Sequence, residues 1–146
     1  MEGTFQDIQL ACFNLGENLF AVDIMRIREI ILPQKLSPLP VDSHALEGVI
    51  NLRGSVIPVM DLRRRFGMPA AATAPGKLLI VALAGQMLAL AVDNVLEVIS
   101  VPAKEIMPPP NAVEAAGIEC LLGVCLSSDN VFMILDIDTL LATSEL

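Results

Sequence analysis

The amino-acid sequence predicts a mainly β fold built from two similar lobes, with only a few short helices. Three observations carry that reading. Short apolar runs bounded by Gly, Asn, Asp and Pro recur along the chain, which is the pattern of strands joined by tight turns. A unit of about 70 residues occurs twice, with its features in one order. The chain is 54% hydrophobic but only 3% aromatic, so the apolar content is largely Val, Ile, Leu and Ala, which suit closely packed strands.

Taken in order, residues 9–15 and 19–22 flank Gly16-Glu17-Asn18 and read as a first hairpin. Asp23 reads as the cap of a helix through Arg28 to about Ile31, with Ile24, Ile27 and Ile31 on one face and Pro33 ending it. Asp42 or Ser43 reads as the cap of a single turn through Glu47, with Gly48 just past its end. Residues 49–52 and 56–62 read as strands about a turn at Arg53-Gly54, and 68–77, rich in Ala, Pro and Gly, as a loop. Residues 78–84 and 87–92 flank Gly85-Gln86 as a second hairpin. The run after Asp93 is open between helix and strand, because Val95, Val98 and Ile99 are β-branched. Residues 132–137 form a last strand, and 137–143 a last helix capped by Asp136 or Asp138.

The repeat aligns these pieces. Gly16 matches Gly85, and Ala21-Val22-Asp23 matches Ala91-Val92-Asp93. The run Ile27-Arg28-Glu29-Ile30-Ile31 matches Val95-Leu96-Glu97-Val98-Ile99. Each half then reaches a lysine and a proline-rich exit, Lys35 with Pro38 and Pro40, Lys104 with Pro108. Gly48-Val49-Ile50 matches Gly123-Val124-Cys125, and IPVMDL at 57–62 matches FMILDI at 132–137. The halves are therefore residues 9–67 and 77–141. Lobes of that size have little core each, so one domain over residues 9–141 is expected, its two subdomains sharing apolar surface, with an exchange of strands between them left open.

Composition excludes several functions. The charge-free run 78–92 is too short to span a membrane and is broken by Gly85-Gln86. Residues 1–4 put no basic region before an apolar stretch, so a cytoplasmic protein is expected. Cys12, Cys120 and Cys125 form no C-x-x-C, and His44 is the single histidine, so buried thiols rather than a metal site are expected. A net charge of −8 without Trp or Tyr argues against nucleic-acid binding. There is no G-x-S-x-G, no phosphate-binding glycine loop, and Asp136 with Asp138 reads as a strand end or cap. No enzyme and no cofactor are expected.

Residues 48–67 stand apart. They hold four of the nine Lys and Arg residues (Arg53, Arg63, Arg64 and Arg65) against one acid, Asp61. Glu29 lies among isoleucines, where a charge needs a partner, and an arginine at a turn can bind a carboxylate with two parallel bonds. Glu29 is therefore expected to pair with Arg53. Arg63, Arg64 and Arg65 read as a solvated strand end or as a docking patch for an acidic partner.

The segment fits the pattern G-V-x-N-L-R-G-x-x-x-P-[VI]-x-D-L-R-x-[RK]-[FL]-G at Gly48, Val49, Asn51, Leu52, Arg53, Gly54, Pro58, Val59, Asp61, Leu62, Arg63, Arg65, Phe66 and Gly67. In this it resembles the CheW family of chemotaxis coupling proteins, and the likeness extends through Asp23-Ile24, Glu29-Ile30, Val92-Asp93 and Glu97-Val98 over nearly the whole chain. The resemblance implies two five-stranded SH3-like β-barrels on a shared hydrophobic core, in a stand-alone domain. It implies a non-enzymatic adaptor between chemoreceptor cytoplasmic tips and the regulatory domain of the histidine kinase CheA, monomeric when free. It places a receptor-binding groove at Ile27, Glu29, Gly48 and Arg53, and kinase-binding surfaces loosely around Val41, Val56, Val92 and Asn94. A coupling protein of another pathway, pilus or other motility, that diverts or inhibits the kinase is the alternative.

Overall fold

The computed structural model describes residues 6–40, 45–71, 76–111 and 120–141. Its strands are β1 (Asp7–Leu15), β2 (Asn18–Asp23), β3 (Ile27–Ile31), β4 (Leu46–Leu52), β5 (Ser55–Asp61), β6 (Lys77–Leu83), β7 (Gln86–Val92), β8 (Asn94–Pro102), β9 (Leu121–Ser127) and β10 (Asn130–Leu135). They form two five-stranded sheets, ordered β8-β1-β2-β10-β9 in lobe I and β3-β6-β7-β5-β4 in lobe II. Each sheet therefore draws strands from both sequence halves. The hairpin β1–β2 of the first half joins β8, β9 and β10, and the hairpin β6–β7 of the second joins β3, β4 and β5. Each sheet has two junctions between the halves, one parallel (β2 with β10, β5 with β7) and one antiparallel (β1 with β8, β3 with β6), at equivalent places in the repeat.

Central strands are apolar on both faces because both faces are buried. Along β7, Leu88, Leu90 and Val92 enter a core shared by the lobes, while Ala89 and Ala91 enter the core of lobe II. Along β1 and β2, Phe13, Leu15, Phe20 and Val22 face the shared core, and Leu10, Cys12 and Ala21 the core of lobe I. Alternation of side chains across a strand produces this division. The bulkiest residues meet between the lobes: Phe20 stacks on Phe13 at 5.6 Å and on Phe66 at 5.3 Å between ring centroids. Each lobe alone buries only a small apolar interior, so the shared layer supplies much of the hydrophobic stabilisation.

Glycines mark where a second segment lies against a strand. A Cβ on Gly48 would stand 2.5 Å from the Ser37 carbonyl oxygen, because Ser37 and Val49 exchange two backbone hydrogen bonds of 2.8 Å. Gly123 repeats the arrangement, with a Cβ 2.5 Å from the Met107 carbonyl oxygen and Met107 paired to Val124.

The structure corrects four expectations. The helix after Asp23 is one 3-10 turn, Ile24–Arg26, and Ile27–Ile31 is a strand. Asp23 does cap, accepting from the Met25 amide at 2.9 Å, but β-branched isoleucines pair with β6 instead of continuing the helix. Gly48 lies inside β4 rather than past a helical turn; the expected caps of that turn, Asp42 and Ser43, lie outside the described residues. Residues 62–65 form one helical turn, α1 (Leu62–Arg65), capped by Asp61. The final helix is a 3-10 turn, Ile137–Thr139, capped by Asp136, and its expected end at 142–143 lies outside the described residues. After Asp93 the chain is the strand β8. Among the described residues neither sheet closes into a hydrogen-bonded barrel, because the edge strands β3 and β4, and β8 and β9, do not pair with each other.

Candidate functional site

The β4–β5 turn is a two-residue hairpin loop. Arg53 and Gly54 both take positive φ, 51° and 91°, the pair of values that lets a two-residue turn follow the twist of its strands. Asn51 holds the turn by accepting from the Gly54 amide at 2.9 Å. Arg53 is thereby carried out of the sheet and back toward β3, at the opposite edge of lobe II. Its Nη1 and Nη2 donate to the two carboxylate oxygens of Glu29 at 3.2 and 2.5 Å. The sheet has curled until its two edges are bridged by one ion pair. Hydrogen bonding to Arg53 lowers the Glu29 carboxyl from its usual range. Arg53 is 69% exposed and Glu29 35%, so the pair is available to a partner and contributes little to stability.

The other expected receptor-groove residues lie on the same two edge strands, β3 and β4. Ile27 is half-buried at the start of β3, packed against the shared core. Gly48 is buried in β4, where its lack of a side chain admits Ser37. The expected kinase-facing residues are scattered. Val56 is 70% exposed beside the Arg53 turn, and Asn94 is exposed at the start of β8. Val92 is 1% exposed and part of the shared core, so it faces no partner; its place on an inner strand decides this. Val41 lies outside the described residues.

Arg63 is not the solvated strand end expected of it. Its Nη2 donates to Asp93 at 2.7 Å and its Nη1 to the Pro69 carbonyl at 3.1 Å, with side chains only 15% and 23% exposed. Asp93 also accepts from the Gly16 amide at 2.7 Å. Asp93 sits where the chain crosses from β7 of lobe II to β8 of lobe I, so three segments meet on one carboxylate. Hydrogen bonding to Arg63 holds the Asp93 carboxyl low. At the other crossing, from β2 to β3, Arg26 donates to Asp138 at 2.6 and 3.2 Å and to the Ala82 carbonyl at 2.9 Å. Arg63 and Asp138 occupy equivalent repeat positions, so the two crossings are clasped by ion pairs of opposite polarity. The sequence places a carboxylate at each crossing, Asp23 and Asp93, but only Asp93 joins a clasp, because Asp23 caps the 3-10 turn. Arg65 is tied too, its Nε donating to the Leu140 carbonyl at 2.8 Å.

Enzyme chemistry finds little here. A cleft beside the Arg63–Asp93 pair is lined by Glu47, Asp61, Ala70, Ala71 and Ala91; Asp61 already accepts from the Arg63 amide. Cys12, Cys120 and Cys125 are buried and unbridged, and burial, followed by the nearby Cys125 and Glu97, pushes the Cys12 thiol up to about 12. Among the described residues no group of three or more His, Cys, Asp or Glu could hold a metal ion, and no helix is long and apolar enough to cross a membrane.

Comparison with known proteins agrees with this geometry. Residues 9–145 match the model of the CheW-like domain. The chain is 31% identical over 146 residues to the chemotaxis protein CheW of Treponema pallidum, covering 97% of this chain and 86% of that one. It is 35% identical over 120 residues to protein FrzA of Myxococcus xanthus, covering 82% and 74%. The crystal structure of the scaffolding protein TtCheW from Thermoanaerobacter tengcongensis superposes with a TM-score of 0.83 at 28% identity, over 97% of this chain and 91% of that one.

Proposed function

Since the chain belongs to the CheW family of chemotaxis scaffold proteins, we propose that it couples chemoreceptor cytoplasmic tips to the regulatory domain of the histidine kinase CheA, in the cytoplasm and without chemistry of its own. The Arg53–Glu29 pair carries this reading. It is polar, geometrically defined and exposed, at the curled mouth of lobe II, and bidentate pairs of this kind give orientation as well as attraction. A receptor hairpin would lie across Ile27, Glu29, Gly48 and Arg53. The kinase domain would meet exposed apolar side chains and sheet edges, with Val56, Asn94 and Val41 among the contacts. The free protein is a monomer in this reading, because its partners cover those edges.

Reconstitution tests it. Purified kinase and receptor fragments are combined with the protein, and receptor-dependent kinase activity is measured. Stimulation by the wild type and its loss in Arg53→Glu, with an unchanged unfolding midpoint, support coupling through this pair. Inhibition by the wild type would instead indicate a protein that diverts the kinase. Binding to neither fragment would overturn the reading.

A further inference from the structure

The two lobes are equivalent by repeat, yet only one carries the edge-bridging pair. In lobe II the strand β3 has a bulge between Ile27 and Glu29, and the glutamate that follows it meets Arg53. In lobe I the equivalent strand β8 has its bulge opposite Cys12, between the pairs Ala11↔Val98 and Phe13↔Val95. Bulges re-aim the side chains beside them, and Glu97 occupies this one as Glu29 follows the other. The facing turn is preserved as well. Ser128 and Asp129 take positive φ of 50° and 68°, matching Arg53 and Gly54. The arginine is missing, because its position is Ser128. Glu97 is exposed and has no hydrogen-bond or ion-pair partner among the described residues.

Glu97 lies on a strand that exposes apolar side chains, in a lobe that exposes more. Leu96 and Val98 beside it are 46% and 55% exposed, and Leu126 and Val131, paired across β9 and β10, are 58% and 53% exposed. The lobe II position equivalent to Leu126 is Asn51, which is spent holding its own turn. Charge points the same way. The described residues between 94 and 141 include five acidic residues and one basic residue, Lys104, whereas the other eight basic residues of the chain lie between Arg26 and Lys77. Lobe I thus offers an acidic group on an apolar, acidic surface, at the spot where its sister lobe has supplied its own arginine.

We propose that lobe I docks a partner that presents an arginine, flanked by apolar side chains, to Glu97, so that the partner completes in trans the bridge that Arg53 makes in cis. This rests on the coupling reading, and assigns the arginine to the kinase regulatory domain, because one of its expected contacts, Asn94, begins the same strand β8, whereas none of the expected receptor contacts lies in lobe I. An arginine suits this role because it binds a carboxylate bidentately and tolerates apolar neighbours better than lysine.

The test measures the affinity of the purified kinase regulatory domain, and separately of a receptor tip fragment, for the full chain and four variants. Glu97→Gln keeps the shape and removes the charge, and is expected to weaken kinase-domain binding about tenfold while leaving receptor binding unchanged. Ser128→Arg supplies the missing arginine in cis and is expected to weaken kinase binding by a similar factor, whereas Ser128→Gln is expected to bind as the wild type. In the double variant Glu97→Gln with Ser128→Arg the two losses should not add, because both remove the same site. Wild-type kinase binding by Glu97→Gln, or full additivity in the double variant, overturns the inference and leaves the coupling reading standing. A wild-type chain that binds neither fragment overturns the coupling reading, and this inference with it.

Discussion

Replacing Asp93 by asparagine tests whether the lobe crossing is held by charge. The side chain keeps its size and loses its anion, leaving Arg63, 15% exposed, with the Pro69 carbonyl and no carboxylate. An exposed ion pair contributes about 0–1 kcal/mol, and breaking a fully buried one costs about 3–5 kcal/mol. With 15% and 23% of the two side chains exposed, and the Gly16 amide also bonded to the carboxylate, the expected loss is about 2 kcal/mol. For a chain of this size that is about 4–8 °C in Tm, or about 1 M in the urea midpoint.

The pH dependence identifies the cause. Hydrogen bonding to Arg63 holds the folded Asp93 carboxyl below its ordinary value, so its contribution is fully present above the unfolded pKa of about 3.9. It is lost as pH falls through the lower folded value. The gap between wild type and Asp93→Asn should therefore be constant from about pH 5 to 8 and close below about pH 4. Urea unfolding followed by far-UV circular dichroism at several pH values measures it. An unchanged midpoint at pH 7, or a gap that persists undiminished in acid, would refute the reasoning. The exchange Arg63→Asp with Asp93→Arg should recover only part of the loss, because an arginine at 93 cannot accept the Gly16 amide.

Other outcomes follow from the same structure. Gly48→Ala and Gly123→Ala each drive a methyl group into a backbone carbonyl 2.5 Å away, and each should lower stability by about 1–3 kcal/mol in urea titrations. Phe20→Ala empties the middle of the three-ring stack and should cost about 3–5 kcal/mol in urea titrations. The exchange Glu29→Arg with Arg53→Glu should leave the urea midpoint where it is, since the pair is exposed, while restoring part of the receptor coupling that either single change removes. Thiol titration should find Cys12 and Cys125 unreactive in the native protein and reactive in urea, because both are fully buried.

How much of this was legible in the sequence depended on how far apart the cooperating residues lie in the topology. The hairpins β1–β2 and β6–β7 could be read directly, since both strands and their turn are contiguous. The Glu29–Arg53 pair was readable because a charged residue among isoleucines demands a partner and a turn arginine was on offer. Val92 was misplaced for the converse reason. Strand alternation tells that one face differs from the other, but on a strand buried on both faces neither parity points outward, and only the sheet order puts β7 in the middle. The helix after Asp23 failed on a local ambiguity: IREII fits a helical stripe and a β-branched strand alike, and the free edge of β6 decided between them.

The clasps could not be found from either half alone, and the reason is physical. Asp93 ends a strand of lobe II and begins one of lobe I, so what it touches depends on how both sheets stack. Its partners, Gly16 and Arg63, come from the first half of the chain. Reversal of polarity between the crossings further hides the pattern, since the repeat places Arg63 opposite Asp138 and a search for matching charges would discard both. Such reversal costs nothing where each pair is satisfied within the molecule, and so the sequence is free to drift there. At Glu97 the repeat differs further: the carboxylate is present, and the facing turn position holds Ser128 rather than an arginine. A lone exposed glutamate on an edge strand also discourages edge-to-edge association, but that role needs no bulge, no preserved left-handed turn and no apolar flank. The three together are the geometry of a bridge whose second half comes from another molecule.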